Sequence, residues 1–391
     1  MHLSPTMNNA ALESPSTSMT GEARSIGGEK PIKNTSKVVL KRNRWEIKMP
    51  ATRETTVLFI FDVNDRLKEY LINGLQPYPQ VNLIFPEDTS EENLLELAPT
   101  VDIMVGWRPS EELLQAAKNL TLHINPGAGI QHLIDLFKKI NRSRDILLAN
   151  GHGNSYFTAQ HAVALLLALT NKVIPHHNWL AAGEWRKRDD DARSIPLRDR
   201  SIGLLGYGAI NQKVHRFLSG FDVEFSILRR DWTNKSVQDL PTPITQYDYS
   251  QLHSFLKEIN TLIIAVPLTS LTEGMIKREE LVLLGEDGLL VNVSRGPVID
   301  EESLYQALNE QVITGAAIDV WYNYRPEPDE EGRKFPSSKP FYELSNVVLS
   351  PHRGASPMND LRRWNEVIEN IRQFALNTRQ FINLVDLEHE Y

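Results

Sequence analysis

The run Ser201-Ile202-Gly203-Leu204-Leu205-Gly206-Tyr207-Gly208-Ala209-Ile210-Asn211 constrains this chain more than any other stretch. It reads as a buried strand that turns through two glycines into an amphipathic helix, because Ile210, Val214, Phe217 and Leu218 fall on one helical face before Gly220 ends the pattern. Such a turn offers an anion the unpaired N–H groups and partial positive charge of a helix N-terminus. Glycine there lets phosphate approach the backbone where a Cβ would collide. Asn211 stands where a third glycine is usual, so the match is partial, and an ordinary strand–turn–helix is the alternative reading.

The residues that follow favour the first reading. Phe221–Leu228, Thr261–Pro267, Gly288–Ser294, Thr314–Trp321 and Asn346–Pro351 are short apolar runs with the look of buried strands. Tyr249–Leu256, Arg278–Leu284 and Glu301–Asn309 between them carry helical periodicity, which predicts repeated βα units and a parallel sheet. The end of the second strand bears on the choice of nucleotide. A dinucleotide fold taking NAD carries Asp or Glu there, about twenty residues past the glycines, to bind the ribose 2′-OH. This chain has Arg229 and Arg230, two guanidiniums suited to gripping a 2′-phosphate, or else a solvated basic pair at a strand end. The expectation is NADP, with NAD as the alternative.

A second alternation runs from Thr55 to Gly151. Val57–Phe61, Val81–Phe85, Val101–Trp107, Leu120–Pro126 and Ile146–Gly151 read as strands, and Asp65–Asn73, Ser90–Leu97, Pro109–Lys118 and Gln131–Ile140 as helices. Asn154–Asn171 predicts one long buried helix, its apolar run Ala162–Leu169 being far too short to span a bilayer. Residues 1–50 are rich in Ser, Asn, Pro, Thr and Gly and read as a disordered tail without the apolar core of a secretion signal. A net charge of −8 gives no basic face for nucleic acid or anionic membrane. With no cysteine, disulfides and thiolate metal sites are excluded. His123, His132, His152, His161 and the pair His176-His177 show no zinc spacing and read as structural, and no GxSxG supports a catalytic serine. The expectation is a cytoplasmic enzyme without a metal.

Four segments, in order, resemble the D-isomer-specific 2-hydroxyacid dehydrogenase family over residues 55 to 391. Gly127-Ala128-Gly129 is similar to the loop that receives the substrate carboxylate on backbone N–H groups, and Gly206-Tyr207-Gly208, with Ala209 and Ile210, to the dinucleotide turn. Val293-Ser294-Arg295-Gly296 resembles the segment bearing the substrate-binding arginine, and Ser350-Pro351-His352 the segment bearing the acid/base histidine. The resemblance implies an α/β protein of two parallel-sheet domains. One, residues 152–353, is a Rossmann domain that binds NAD(P), with Val266, Pro267 and Asp319 added to its cofactor-contacting residues. The other, residues 55–151 with 354–391, is a smaller flavodoxin-like substrate domain completed by a helix from Met358 to Asn377. A homodimer is also implied.

The residue types make chemical sense by themselves. Arg295 follows an apolar strand and so belongs at the carboxyl end of a parallel sheet, where its fork of donors suits the carboxylate and carbonyl of a 2-oxo acid. His352, at the end of another strand, titrates near neutrality and suits proton donation to the reduced oxygen. Trp107 and Arg108 end a strand on the opposite side, as substrate contacts or as an aromatic and a solvated charge.

One expected residue is missing. The family places Glu five residues after the Asp corresponding to Asp319, as the histidine's partner, whereas this chain has Tyr324. A tyrosine with a reference pKa near ~10 supplies no anion at neutral pH, so Tyr324 is expected to orient His352 through its hydroxyl, with Glu327 as an alternative anion. Asp319-Val320-Trp321 and a neutral residue at 324 also resemble the formate dehydrogenase branch. The leading expectation is a reductase of glyoxylate, hydroxypyruvate or a related small 2-oxo acid. Formate oxidation and a dinucleotide-sensing binding protein with little turnover are the alternatives.

Overall fold

A computed structural model of the protein describes residues 54–186, 192–232 and 240–391; the expected N-terminal tail lies outside the described residues. Two parallel sheets carry the architecture. The first holds β1 (Thr55–Phe59), β2 (Val81–Ile84), β3 (Ile103–Val105), β4 (Leu122–Asn125) and β5 (Leu147–Asn150) in the order β2-β1-β3-β4-β5, the flavodoxin-like arrangement. Its helices are α1 (Asp65–Leu75), α2 (Glu91–Leu97), α3 (Glu111–Ala116) and α4 (Gln131–Ile140). Strand alternation splits the core into two layers: Leu58 packs with Leu113, Leu133 and Phe137, whereas Val57 and Phe59 pack on the opposite face.

Helix α5 (Ser155–Thr170) leaves this sheet and is followed by α6 (Val173–Ala181). The second sheet contains β6 (Ser201–Leu205), β7 (Glu224–Leu228), β8 (Thr245–Tyr247), β9 (Thr261–Ile264), β10 (Leu289–Asn292), β11 (Gly315–Ile318) and β12 (Val347–Leu349). Their order is β12-β11-β10-β9-β6-β7-β8, all parallel. Helices α7 (Ala209–Leu218), α8 (Leu252–Lys257), α9 (Arg278–Leu284) and α10 (Glu301–Asn309) cover its faces. Leu262 and Ile264 face the layer containing Phe255, Leu281 and Leu304, and Ile263 between them faces Ala162, Leu166 and Val214 of α5 and α7. A strand buried on both faces reads as an unbroken apolar run.

Helix α11 (Asn365–Ala375) returns to the first sheet, where Trp364, Val367 and Ile371 pack with Val57, Phe59 and Leu71. It starts seven residues later than its expected Met358, which is exposed; the Asp360 carboxylate instead accepts from the Arg362 N–H and holds a local turn. Two elements have no counterpart in the expectations above. β8 is an edge strand of sequence TQY with little burial, and α6 carries Pro175 and buries none of its residues. Among the described residues no single helix is long and apolar enough to cross a membrane.

Candidate active site

Open parallel sheets bind ligands beyond the carboxyl ends of their strands, next to the point where strand order reverses. Here β6 lies between β7 and β9, and the chain immediately after β6, β9, β10 and β11, with His352 beyond β12, lines one wall of a cavity of about 290 Å³. Segments after β3, β4 and β5 of the first sheet line the other wall.

The glycine turn fits a dinucleotide. Gly206 has φ +82°, and a Cβ there would come within 2.8 Å of Val266 and 2.9 Å of the Ala265 carbonyl oxygen. Near Gly208 the nearest such contact is the Tyr391 hydroxyl, at 3.8 Å. The first N–H groups of α7 have no intrahelical partners and face this opening. Asn211 replaces the usual third glycine without loosening the turn. It is fully buried, and its amide donates to the carbonyls of Gly206 (2.7 Å), Leu205 (3.2 Å) and Ile263 (3.3 Å). Tyr207 is buried, with its hydroxyl 2.8 Å from Nδ1 of His215, whose Nε2 is 2.8 Å from the Thr242 hydroxyl. Burial lowers the His215 pKa to about 4, so the imidazole stays neutral.

On the opposite wall, two asparagines shape Gly127-Ala128-Gly129. The Asn125 amide donates to the Gly127 and Gly129 carbonyls, and the Asn150 amide to the Ala128 carbonyl at 3.0 Å. With these carbonyls turned toward protein, the three N–H groups have no protein acceptor among the described residues. A Cβ on Gly129 would collide with the guanidinium of Arg295, which places the two walls in direct apposition. Asn292, at the end of β10, fixes the turn that delivers Arg295: it accepts from the Ser294 N–H (3.0 Å) and hydroxyl (2.8 Å) and donates to the Arg295 carbonyl (3.0 Å). The guanidinium donates to the Ser294 carbonyl at 2.6 Å; burial lowers its pKa, against the opposing effect of Tyr324.

His352 lines the cavity with its backbone in the left-handed region, φ 56°. That conformation costs a non-glycine residue roughly 1–3 kcal/mol and persists only where neighbours enforce it. Asp319 is the enforcing neighbour. Its buried carboxylate accepts from the N–H groups of Arg353 (2.8 Å) and Gly354 (3.0 Å) and from the Ser350 hydroxyl, and lies 3.3 Å from the ring of His161. Burial raises its pKa, but these bonds together hold it below the ordinary carboxylate range. Asp319 thus braces the His352 segment, and it also lines the cavity, where Oδ2 accepts from the Gly354 N–H and keeps a further lone pair.

Tyr324 corrects an expectation. Its hydroxyl accepts from the Trp321 N–H at 3.3 Å, and it meets His352 through its ring, edge-to-face at 5.3 Å between centroids. Burial raises the Tyr324 pKa, so it carries no charge to offer. Glu327 is exposed, and among the described residues no hydrogen bond or ion pair engages the imidazole of His352. Burial and then the Arg295 charge lower the His352 pKa, with Asp319 opposing.

Trp107, Val266 and Pro267 line the cavity, whereas Arg108, Arg229 and Arg230 do not. Arg229 follows β7 with its guanidinium over Trp232, 5.1 Å from the ring centroid, and Arg230 is exposed. His152, read as structural, lines the cavity, whereas His161 stays outside the lining with Nε2 2.8 Å from the Ser350 hydroxyl. His123 is a core residue, fully buried, with burial lowering its pKa to about 3. Asn125, Asn150 and Asn292 escaped the sequence reading, although each is a polar residue ending an apolar run, and that was the available signal.

The family model for the NAD binding domain of D-isomer specific 2-hydroxyacid dehydrogenases matches residues 163–354. The chain is 31% identical over 278 residues to a glyoxylate reductase of Pyrococcus furiosus, covering 68% of this chain and 76% of that one. It is 30% identical over 313 residues to a hydroxypyruvate reductase of Thermotoga maritima, covering 79% and 96%. Among solved structures, an NADPH-dependent glyoxylate/hydroxypyruvate reductase of Sinorhizobium meliloti in complex with NADP and malonate shares the fold, with TM-score 0.65 and 23% identity over 86% of this chain and 98% of that one.

Proposed function

The chain belongs to the D-isomer-specific 2-hydroxyacid dehydrogenase family, and from that premise we propose that it reduces a small 2-oxo acid of the glyoxylate or hydroxypyruvate kind, using NADPH in preference to NADH. It is an NAD(P)-dependent oxidoreductase. The observation that carries the substrate reading is the apposition of Gly129 and the Arg295 guanidinium across the cleft, with His352 on the same cavity wall as Arg295.

In this reading the lobe of residues 55–151 with 354–391 takes the substrate, and residues 152–353 take the nucleotide. Gly206–Ile210, Val266 and Pro267 hold the dinucleotide, which when bound supplies a hydride. The N–H groups of Gly127, Ala128 and Gly129 accept the substrate carboxylate, while the planar fork of Arg295 grips carboxylate and carbonyl together and polarises the latter. His352 gives a proton to the carbonyl oxygen as it becomes a hydroxyl. Tyr324 and Asp319 position the imidazole, the first by packing and the second by pinning the backbone. Arg229, stacked on Trp232 and thereby restrained, is the proposed partner of a 2′-phosphate. No observation at the site favours formate oxidation or a purely binding role.

The test is a spectrophotometric screen with NADPH and NADH against glyoxylate, hydroxypyruvate, pyruvate and longer 2-oxo acids, with formate and the oxidised cofactors alongside. Oxidation of NADPH by a 2-oxo acid, lost in His352→Ala, is expected; silence with every 2-oxo acid would sink the reading.

We also propose a cytoplasmic homodimer. Val173, Leu180 and Trp185, on α6 and just beyond it, are 53%, 58% and 76% exposed, an apolar surface that a second copy would cover. Leu180→Glu with Trp185→Glu is expected to halve the mass in light scattering, and a monomeric wild type would refute the dimer.

A further inference from the structure

The chain beyond α11 crosses the cleft. Asn383–Val385 adds an antiparallel edge to β5: Asn150 N–H donates to the Asn383 carbonyl (3.0 Å) and Val385 N–H to the Leu148 carbonyl (2.8 Å). Val385 and Leu387 pack on the core beneath. Asp386 then closes a tight turn, its carboxylate accepting from the N–H groups of Glu388 (2.9 Å) and His389 (3.1 Å), while its backbone exchanges two hydrogen bonds with Tyr391.

The turn delivers Glu390 and Tyr391 into the cavity. One oxygen of Glu390 meets Lys138 Nζ on α4 at 3.1 Å, and the other accepts from the Ser270 N–H beyond β9 at 2.9 Å, so a single carboxylate ties the two walls together. The Tyr391 ring lies nearly parallel to His152, 5.9 Å between centroids, and its hydroxyl is the group nearest the open side of Gly208. Nothing in the dinucleotide reading uses these residues, and their chemistry opposes it. A carboxylate lining the cavity repels a diphosphate, and the tyrosine stands where phosphate must approach the glycine backbone. A cavity of about 290 Å³ also lies at the lower edge of the ~300–1,000 Å³ of small-molecule sites.

We propose that Asp386–Tyr391 is an autoinhibitory strap over the dinucleotide groove, latched by Glu390 to Lys138 and to the Ser270 N–H, and that it must swing out before a dinucleotide reaches Gly208. The inference rests on Gly206–Ile210 being the dinucleotide turn. Apparent affinity is then the intrinsic affinity scaled by the fraction of molecules with the strap open. Lys138→Ala removes one half of the latch at an exposed position and so leaves the core intact. It is expected to tighten NADPH binding and speed association about two- to fivefold, the range for an exposed ion pair. Tyr391→Ala removes the plug itself and is expected to give the larger gain.

Stopped-flow fluorescence of NADPH and NADH binding to the full chain, wild type and both variants, decides the matter. Unchanged association rates in both variants, or weaker binding in Tyr391→Ala, would overturn the strap while leaving the dinucleotide site standing. Failure of wild type and both variants to bind either nucleotide would instead overturn the dinucleotide reading, and the strap with it.

Discussion

The glycine turn after β6 and the corner formed by Arg295 and His352 lie on the same wall of one cavity, yet they treat their polar groups in opposite ways. At the turn, side chains are bound to protein: Asn211 donates to three carbonyls, and Tyr207, His215 and Thr242 form a closed chain. At the corner, Arg295 makes one hydrogen bond to its own neighbour's carbonyl, and the His352 imidazole makes none among the described residues. The difference separates a surface that must keep its shape from groups that must keep their hydrogen-bonding capacity for a substrate. Rigidity reaches the corner only through backbone, by way of Asn292 and Asp319.

The largest test of this contrast is removal of the uncommitted groups. Arg295→Ala and His352→Ala are each expected to lower kcat/KM on the order of 10³-fold while thermal stability and NADPH affinity stay near wild type. A comparable loss of nucleotide binding would mean that the corner also shapes the turn. Asn211→Ala should do the reverse. It removes a buried amide that donates to three carbonyls, of which Leu205 keeps the Ala265 N–H, and an expected loss of about 1–3 kcal/mol in urea unfolding would accompany weaker nucleotide binding.

The pH profile sharpens the comparison further. Proton donation in reduction needs the imidazolium, and burial together with Arg295 lowers the His352 pKa below 6.5, so the reduction rate should fall as pH rises through a value on the acid side of 6.5. A rate constant up to pH ~9 would show that an anion supports the imidazolium or that chemistry is not rate-limiting. The smallest expected effect is Tyr324→Phe. It keeps the ring that packs on His352 and deletes only an acceptor at 3.3 Å from Trp321, so kcat should change less than about threefold, whereas Tyr324→Ala should cost more. If Phe were as damaging as Ala, the hydroxyl would have a role that its position does not suggest.

Much of this was legible without coordinates. Arg278–Leu284, Glu301–Asn309 and Gln131–Ile140 have the same bounds in sequence and structure, because each is an amphipathic helix closed by local signals. Strand runs were legible but too long at their ends: Thr261–Pro267 contains the four-residue β9, since apolar residues continue past the last ladder bond into the cavity wall. The polar edge strand β8 and the unburied helix α6 carry no such periodicity and escaped notice.

The sequence by itself determined the buried elements, their parallel pairing and the residue types brought to the strand ends, because burial on two faces and backbone turns are encoded in neighbouring residues. Tertiary structure alone decided how those residues are used. Asp319 reaching across thirty-four positions to Arg353, Asn211 satisfying a carbonyl of β9, and Glu390 joining Lys138 to Ser270 are contacts between segments distant in the chain. A hydrogen bond of that span leaves no local pattern, because its geometry exists only once two separately folded elements have packed.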